Sequence, residues 1–413
     1  MIRNFFTVAL RNMAKHKFFA FINLMGLTIG IAACLFIAMY ISDELSYEKF
    51  IPNSERIYRL SLHGKVAGQE VYTTATNSQL ARTLMAEMPE VEQATRIFQF
   101  DEWVVRNGDL IFTEKEIYAA DSNFFRVFEF DFIQGTMENA LVGPHKIVMT
   151  ESMANKYFPN ESALDKIVTM GNDKTEYLVT GVIRDVPRNT HIPINALISM
   201  RSFDWMFPTQ GQWLSNSFLS YYRLSENGNS DYVDAKLKPI VDRNVSPIMK
   251  EFMGKTLEEL EADGAIYKYF SLPLERIHLY SDLEDEPTPV GDIMYVYIMA
   301  AIGLFILIIA AINFMNLSTA KYAGRAKEVG LRKTMGSLRK ALVGQFISES
   351  VLYCIISTLF AFALVSLLMS NFNTLSGKEL TLLSLVTPQM GIIILIIILI
   401  LGVLAGSYPA FYL

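Results

Sequence analysis

Five histidines, His16, His63, His145, His191 and His278, are the first residues to weigh for metal or acid–base chemistry. No two have the H-E-x-x-H spacing of a zinc helix, and the acidic residues are dispersed as on a solvated surface. Cys34 and Cys354 are the only cysteines, and both lie in apolar runs, so the polar part has no disulfide framework and no thiolate ligand set. Gly254-Lys255-Thr256 has the ending of a phosphate-binding loop, but residue 249, where the first glycine belongs, is Met. There is no Gly-x-Ser-x-Gly nucleophile motif. Catalysis by a recognisable constellation is not written here, and no metal is expected.

The most distinctive segment is basic. Residues 313–345 carry Lys321, Arg325, Lys327, Arg332, Lys333, Arg339 and Lys340 against Glu328. Gly330 and Gly336 punctuate it, and Val329, Leu331 and Met335 set apolar side chains among the bases. A loop that only orients its neighbouring helices needs charge alone. Ordered apolar positions suit a protein contact, where a buried apolar anchor carries more energy than rim charges. Glu328 and Arg332, four apart, can pair on one helical face.

What positions such a segment is a membrane. Apolar residues make up 51% of the 413 and charged residues 19%, below the roughly 25% of a soluble domain. Residues 18–41, 293–317, 351–371 and 391–413 contain no charge. Each run is close to the roughly 20 residues that cross a hydrocarbon core. A simple soluble enzyme is excluded, and so is a pure membrane bundle. The expected fold is an α-helical membrane protein with four transmembrane helices (18–41, 293–317, 346–371 and 391–413). A mixed α/β domain, residues 42–292, is inserted between helices 1 and 2.

Charge gives the orientation. Residues 1–17 carry +4 and residues 313–345 carry +6, whereas residues 43–292 carry −15 in a chain of net −6. By the positive-inside rule, residues 1–17 and the 318–345 loop are cytoplasmic, and 42–292 and the short 372–390 loop are external. The acidic external domain lacks the basic face that nucleic acid requires. Helix 1 is too long for a cleaved signal, and Ser42-Asp43-Glu44 offers no cleavage site, so an uncleaved anchor is expected.

Ile2, Phe5, Phe6, Ala9, Leu10 and Met13 recur at helical spacing across from Arg3, Arg11 and Lys15. This predicts an amphipathic helix on the lipid surface; a plain basic flank is the alternative. Gly26 with Gly30, and Gly402 with Gly406, form small-xxx-small pairs for close helix packing or dimerisation. Chance is the other reading, because glycine is common in membrane helices. In the external domain, alternation predicts strands at 56–63, 91–100, 110–119, 147–150 and 177–183. Helical spacing marks 79–88, stopped by Pro89, and also 152–157 and 232–241. Residues 187–193 read as a turn, 205–216 as an aromatic-rich irregular insertion and 281–289 as an acidic, proline-bearing linker.

Arg325, Glu328-Val329-Gly330, Arg332-Lys333 and Gly336 resemble the cytoplasmic coupling segment of the FtsX/MacB-type ABC transporter permease family. Ser337 stands where alanine is commoner in the family. Gln345-Phe346 with Glu349-Ser350 resembles the start of its third helix, and residues 406–410 the end of its fourth. Residues 121–125, 150–158, 179–182 and 185–187 resemble the MacB-like periplasmic core domain.

The resemblance implies a permease in the bacterial inner membrane with residues 293–413 as its FtsX-like domain. It implies a separate nucleotide-binding ATPase that carries the ATP and Mg, with no cofactor bound by this chain. That subunit would dock on Arg325, Lys327, Glu328, Val329, Gly330, Leu331, Arg332, Lys333, Met335 and Gly336. It also implies a second permease unit, as a homodimer or a paired half, and a periplasmic adaptor or regulated periplasmic protein. Cargo export or mechanotransmission would follow. The alternative is a ligand-binding membrane sensor or regulatory scaffold without transport, although the only sizeable inner segment is too short for an output domain. A membrane-embedded enzyme would need paired ionisable groups in the helices; Glu349, the one acid there, reads as a polar cap at the interface.

Overall fold

The computed structural model describes residues 11, 13–15, 17–66, 68–207, 213–323 and 339–412. The chain divides into two compact units, Met1–Leu45 with Ile293–Leu413, and Ser46–Asp292. In chain order the main helices are α1 (Lys17–Glu44), α2 (Leu80–Glu87), α3 (Glu151–Tyr157), α4 (Ser230–Met253), α5 (Leu257–Ala262), α6 (Ile293–Ala323), α7 (Arg339–Ser376) and α8 (Pro388–Tyr412).

The first unit is helical. The stretches Lys17–Glu44, Ile293–Thr319 and Phe346–Ser376 are long and apolar enough to cross a membrane; the described apolar part of α8, Pro388–Leu404, is shorter. Leu27, Ile31 and Leu35 of α1 pack with Phe314 of α6, Cys354 and Ala361 of α7, and Leu401 of α8. In lipid, helices associate through close packing and interhelical hydrogen bonds. Both occur between α1 and α7: Thr28 Oγ1 donates to Ser357 O (3.4 Å), and Ser357 Oγ donates to Leu24 O (3.3 Å).

The second unit is built on a sheet. Its first strands are β1 (Ile57–Val66), β2 (Gln69–Thr73), β3 (Thr76–Asn77), β4 (Val91–Phe100), β5 (Trp103–Asn107), β6 (Leu110–Glu114) and β7 (Ile117–Ala120). They are followed by β8 (Phe132–Gly135), β9 (Lys146–Thr150), β10 (Ile167–Met170), β11 (Thr175–Ile183), β12 (Ala196–Ser199), β13 (Asn216–Leu224) and β14 (Ile266–Pro273). The order is β14-β1-β13-β4-β7-β12-β9-β11-β10-β5-β6, with β2 beside β1, β3 beside β13 and β8 beside β11.

Alternation decides what each face buries. Leu60, Leu62 and Tyr222 lie in a cluster with Leu84 of α2 and Leu237 of α4. Ile57, Ile97 and Tyr221 belong to a separate cluster with Phe124 and Phe128. A third cluster sets Met153 and Tyr157 of α3 against Ile147 and Val179.

Three expectations change. The strand expected at 110–119 is two strands, because Glu116 is left-handed (φ 61°) and turns the chain between them. The helix expected at 232–241 runs on to Met253 through Pro239 and Pro247, both exposed, so the lost backbone bonds face solvent. The stretch 281–289, expected as a linker, is strapped onto the sheet.

Candidate functional site

The expected coupling residues, Arg325, Lys327, Glu328, Val329, Gly330, Leu331, Arg332, Lys333, Met335 and Gly336, lie outside the described residues, as do 2–10 of the amphipathic stretch. The glycines of α1 face a helix of their own chain. A Cβ on Gly26 would stand 2.9 Å from Asn313 Nδ2, and one on Gly30 would stand 2.9 Å from Ala310 Cβ. A Cβ on Gly402 of α8 would meet Val351 Cγ2 of α7 at 2.6 Å. Gly406 falls within the same α8. Glu349, expected as an interfacial cap, is 4% exposed inside the helical unit.

Lys378 follows α7 and joins the end of α1. Its Nζ is 2.7 Å from Asp43 Oδ2 and 2.6 Å from Glu44 Oε1, and Glu44 is buried. The end of α1 and the loop after α7 therefore share one end of the helical unit.

The most developed polar arrangement lies where the sheet unit's two chain connections meet its core. The first connection, residues 46–51, follows α1; the second, 281–292, precedes α6. Glu48 is buried and left-handed (φ 63°), a conformation that costs a non-glycine residue energy. Its carboxylate accepts from His191 N (2.5 Å) and Thr190 Oγ1 (3.0 Å), and meets His191 Nδ1 at 2.8 Å. His191 Nε2 is 2.8 Å from Tyr221 OH on β13. Burial holds the Tyr221 hydroxyl well above its ordinary pKa.

His191 also reaches the second connection, because its carbonyl accepts from Thr288 Oγ1 (3.4 Å). His278 does the same from another side. Its ring stacks on Tyr47 at 3.3 Å, and its carbonyl accepts from Gly291 N (2.8 Å). Each of the two histidines thus touches both connections.

The second connection is further held by Glu286, whose carboxylate meets Arg59 Nη1 and Nη2 of β1 at 2.6 Å each. Asp285 accepts from Thr73 Oγ1 (2.9 Å), and Glu284 forms a parallel bridge with Thr73. No residue from Asp282 to Asp292 is fully buried as a whole, so polar contacts hold this strap. Sequence spacing could not signal this, because Glu48 lies 143 residues from His191 and Arg59 lies 227 from Glu286.

Other motif residues have structural duties. Gly254 (φ 71°) ends α4, and Thr256 caps α5, forming a capping box with Glu259, so Gly254-Lys255-Thr256 is a helix–helix turn. Asp121 holds Arg96 Nε at 3.1 Å, Thr150 caps α3, and Asp185 accepts from Ser152 N (2.8 Å). Asp234 accepts from Ser271 Oγ at 2.5 Å beside a cavity of about 290 Å³ lined with Lys238, Tyr267 and Tyr269, and burial raises its carboxyl above the ordinary aspartate range. Among the described residues no His, Cys, Asp or Glu group is placed to hold a metal ion.

Residues 20–244 match the family described as the MacB-like periplasmic core domain, and residues 300–413 match the FtsX-like permease C-terminal family. The macrolide export ATP-binding/permease protein MacB of Bdellovibrio bacteriovorus is 25% identical over 191 residues, 46% of this chain and 27% of that protein. The chain therefore spans about a quarter of that relative's length. An uncharacterized ABC transporter permease, YvrN, of Bacillus subtilis is 21% identical over 374 residues, 83% of this chain and 81% of that one. Among solved structures, a domain of a putative permease from Porphyromonas gingivalis is similar at a TM-score of 0.46 and 21% identity, covering 54% of this chain and 91% of that one.

Proposed function

The chain belongs to the FtsX/MacB-type ABC transporter permease family, and we propose that it carries the ATP-driven motion of a separate nucleotide-binding subunit to its periplasmic domain. The observation that carries this reading is the succession, in one chain, of a MacB-like periplasmic core domain and an FtsX-like permease domain. The alignment with a permease over 83% of the chain supports it.

In this reading the chain spans the inner membrane four times, with α8 as the fourth crossing and the N-terminus in the cytoplasm. The ATPase docks on residues 325–337, with Val329 and Met335 as apolar anchors and Lys327, Arg332 and Lys333 at the rim. ATP and Mg bind on that subunit. A second permease unit completes the machine, and a periplasmic adaptor or regulated protein receives the motion. The outcome is export or mechanotransmission.

The test is affinity purification of the full chain from its native membrane. An ABC-type ATPase should co-purify, and its hydrolysis rate should depend on the permease. Purification free of any ATPase, under conditions that retain a second permease unit, would contradict the reading.

A further inference from the structure

We propose that His191 and His278 clasp the two chain connections of the sheet unit into one cooperative strap, so that the segment following α1 and the segment preceding α6 can only move together. The part of this that concerns transmission rests on the permease reading above; the clasp itself does not.

Several observations converge. His191 joins Glu48 of the first connection, Thr288 of the second and Tyr221 of the sheet. His278 joins Tyr47 of the first and Gly291 of the second. Arg59, which grips Glu286, is the cross-strand partner of Tyr221, so both attachments converge on neighbouring residues of β1 and β13. Buried polar networks of this kind are cooperative, because losing one partner leaves the next buried group unpaired. From Asp282 to Asp292 the strap has no fully buried residue, so it depends on that network together with its bridge to β2 through Glu284 and Asp285. Glu48, Tyr47, Arg59 and Glu286 are therefore positioning residues: they fix how the connections meet the sheet.

The clasp is tested by hydrogen exchange on the full chain in lipid nanodiscs. Glu48→Gln alters only the first connection, and Glu286→Gln only the second. Each should raise amide exchange about tenfold or more in the connection it does not touch, as well as in its own. Exchange at 46–51 and 281–292 should rise further than in α2 and β9, which report the loss of global stability, and that excess separates release of the strap from unfolding. The external unit contains no cysteine, so a Thr73→Cys/Glu284→Cys pair can be oxidised cleanly across the existing bridge. In the Glu286→Gln background, oxidation should restore protection at residues 46–51, and reduction should remove it.

If each variant loosens only its own connection, or the crosslink protects only 281–292, the clasp is overturned. A second readout uses the co-purified ATPase complex. There Glu48→Gln should leave ATPase binding intact while abolishing the nucleotide-dependent change in a label distance within the sheet unit. Normal transmission by a variant whose strap is released would overturn the transmitting role. Failure of any ATPase to associate with the wild-type chain would sink the permease reading and leave the exchange result standing.

Discussion

Arg59 holds Glu286 through two parallel contacts of 2.6 Å, with the arginine side chain fully buried and the glutamate side chain 7% exposed. The fork of a guanidinium matches a carboxylate, and such bidentate pairs fix geometry as well as charge. Removing one partner strands the other charge in the core, which costs about 3–5 kcal/mol. Glu286→Gln should destabilise the sheet unit by that order, whereas Arg59→Met with Glu286→Leu should recover most of the loss. Denaturant unfolding of the purified full chain measures both. Equal stability of Glu286→Gln and wild type would show the pair to be incidental.

Gly30 lets α1 approach α6 so closely that an added Cβ would stand 2.9 Å from that of Ala310. Gly30→Leu should force the helices apart and cost about 1–3 kcal/mol or more, as overpacking does. The thermal melt of the detergent-solubilised chain should fall. Unchanged stability together with lost association of two chains would assign this glycine to the contact between units.

Asp234 is an acid whose folded pKa is raised by burial. Its charged form is therefore disfavoured in the fold, and stability falls as pH rises from the ordinary aspartate value through the raised one. Asp234→Asn should be more stable than wild type at pH 8, with the gap closing as pH falls toward about 4. A gap that widens on acidification would reverse the assignment.

Much of the sheet was legible because alternation is a local signal. The strand expected at 91–100 is β4, Val91–Phe100, and Pro89 follows the end of α2 as its missing N–H requires. Glu116 broke a strand with a left-handed backbone that its residue type does not announce. Proline composition hid the length of α4 and made 281–289 look like a loose linker. Its true partners, Arg59 and Thr73, are more than 200 residues away, and no local pattern reports a pairing of that range. Spacing gives the histidines no ligand role, and His191 works through a carboxylate and a phenol brought to it by the fold.

Orientation can be read with thiol chemistry, since Cys34 and Cys354 are both buried. A cysteine at Asn227 should react with an impermeant reagent in intact spheroplasts, and one at Ser337 only after lysis. Equal labelling of the two in sealed cells would contradict the charge-derived topology.

Coupling to a separate ATPase is tested most directly by the co-purified complex in nanodiscs, comparing Val329→Asp with Lys333→Ala. A charge at an apolar anchor removes more binding energy than the loss of a rim cation, which mainly alters association rate and salt dependence. Val329→Asp should lose ATPase association and permease-dependent hydrolysis, while Lys333→Ala retains both with a shifted salt dependence. If Val329→Asp binds the ATPase and supports hydrolysis as wild type does, residues 325–337 do not couple the two subunits, and the account of how this chain works is wrong.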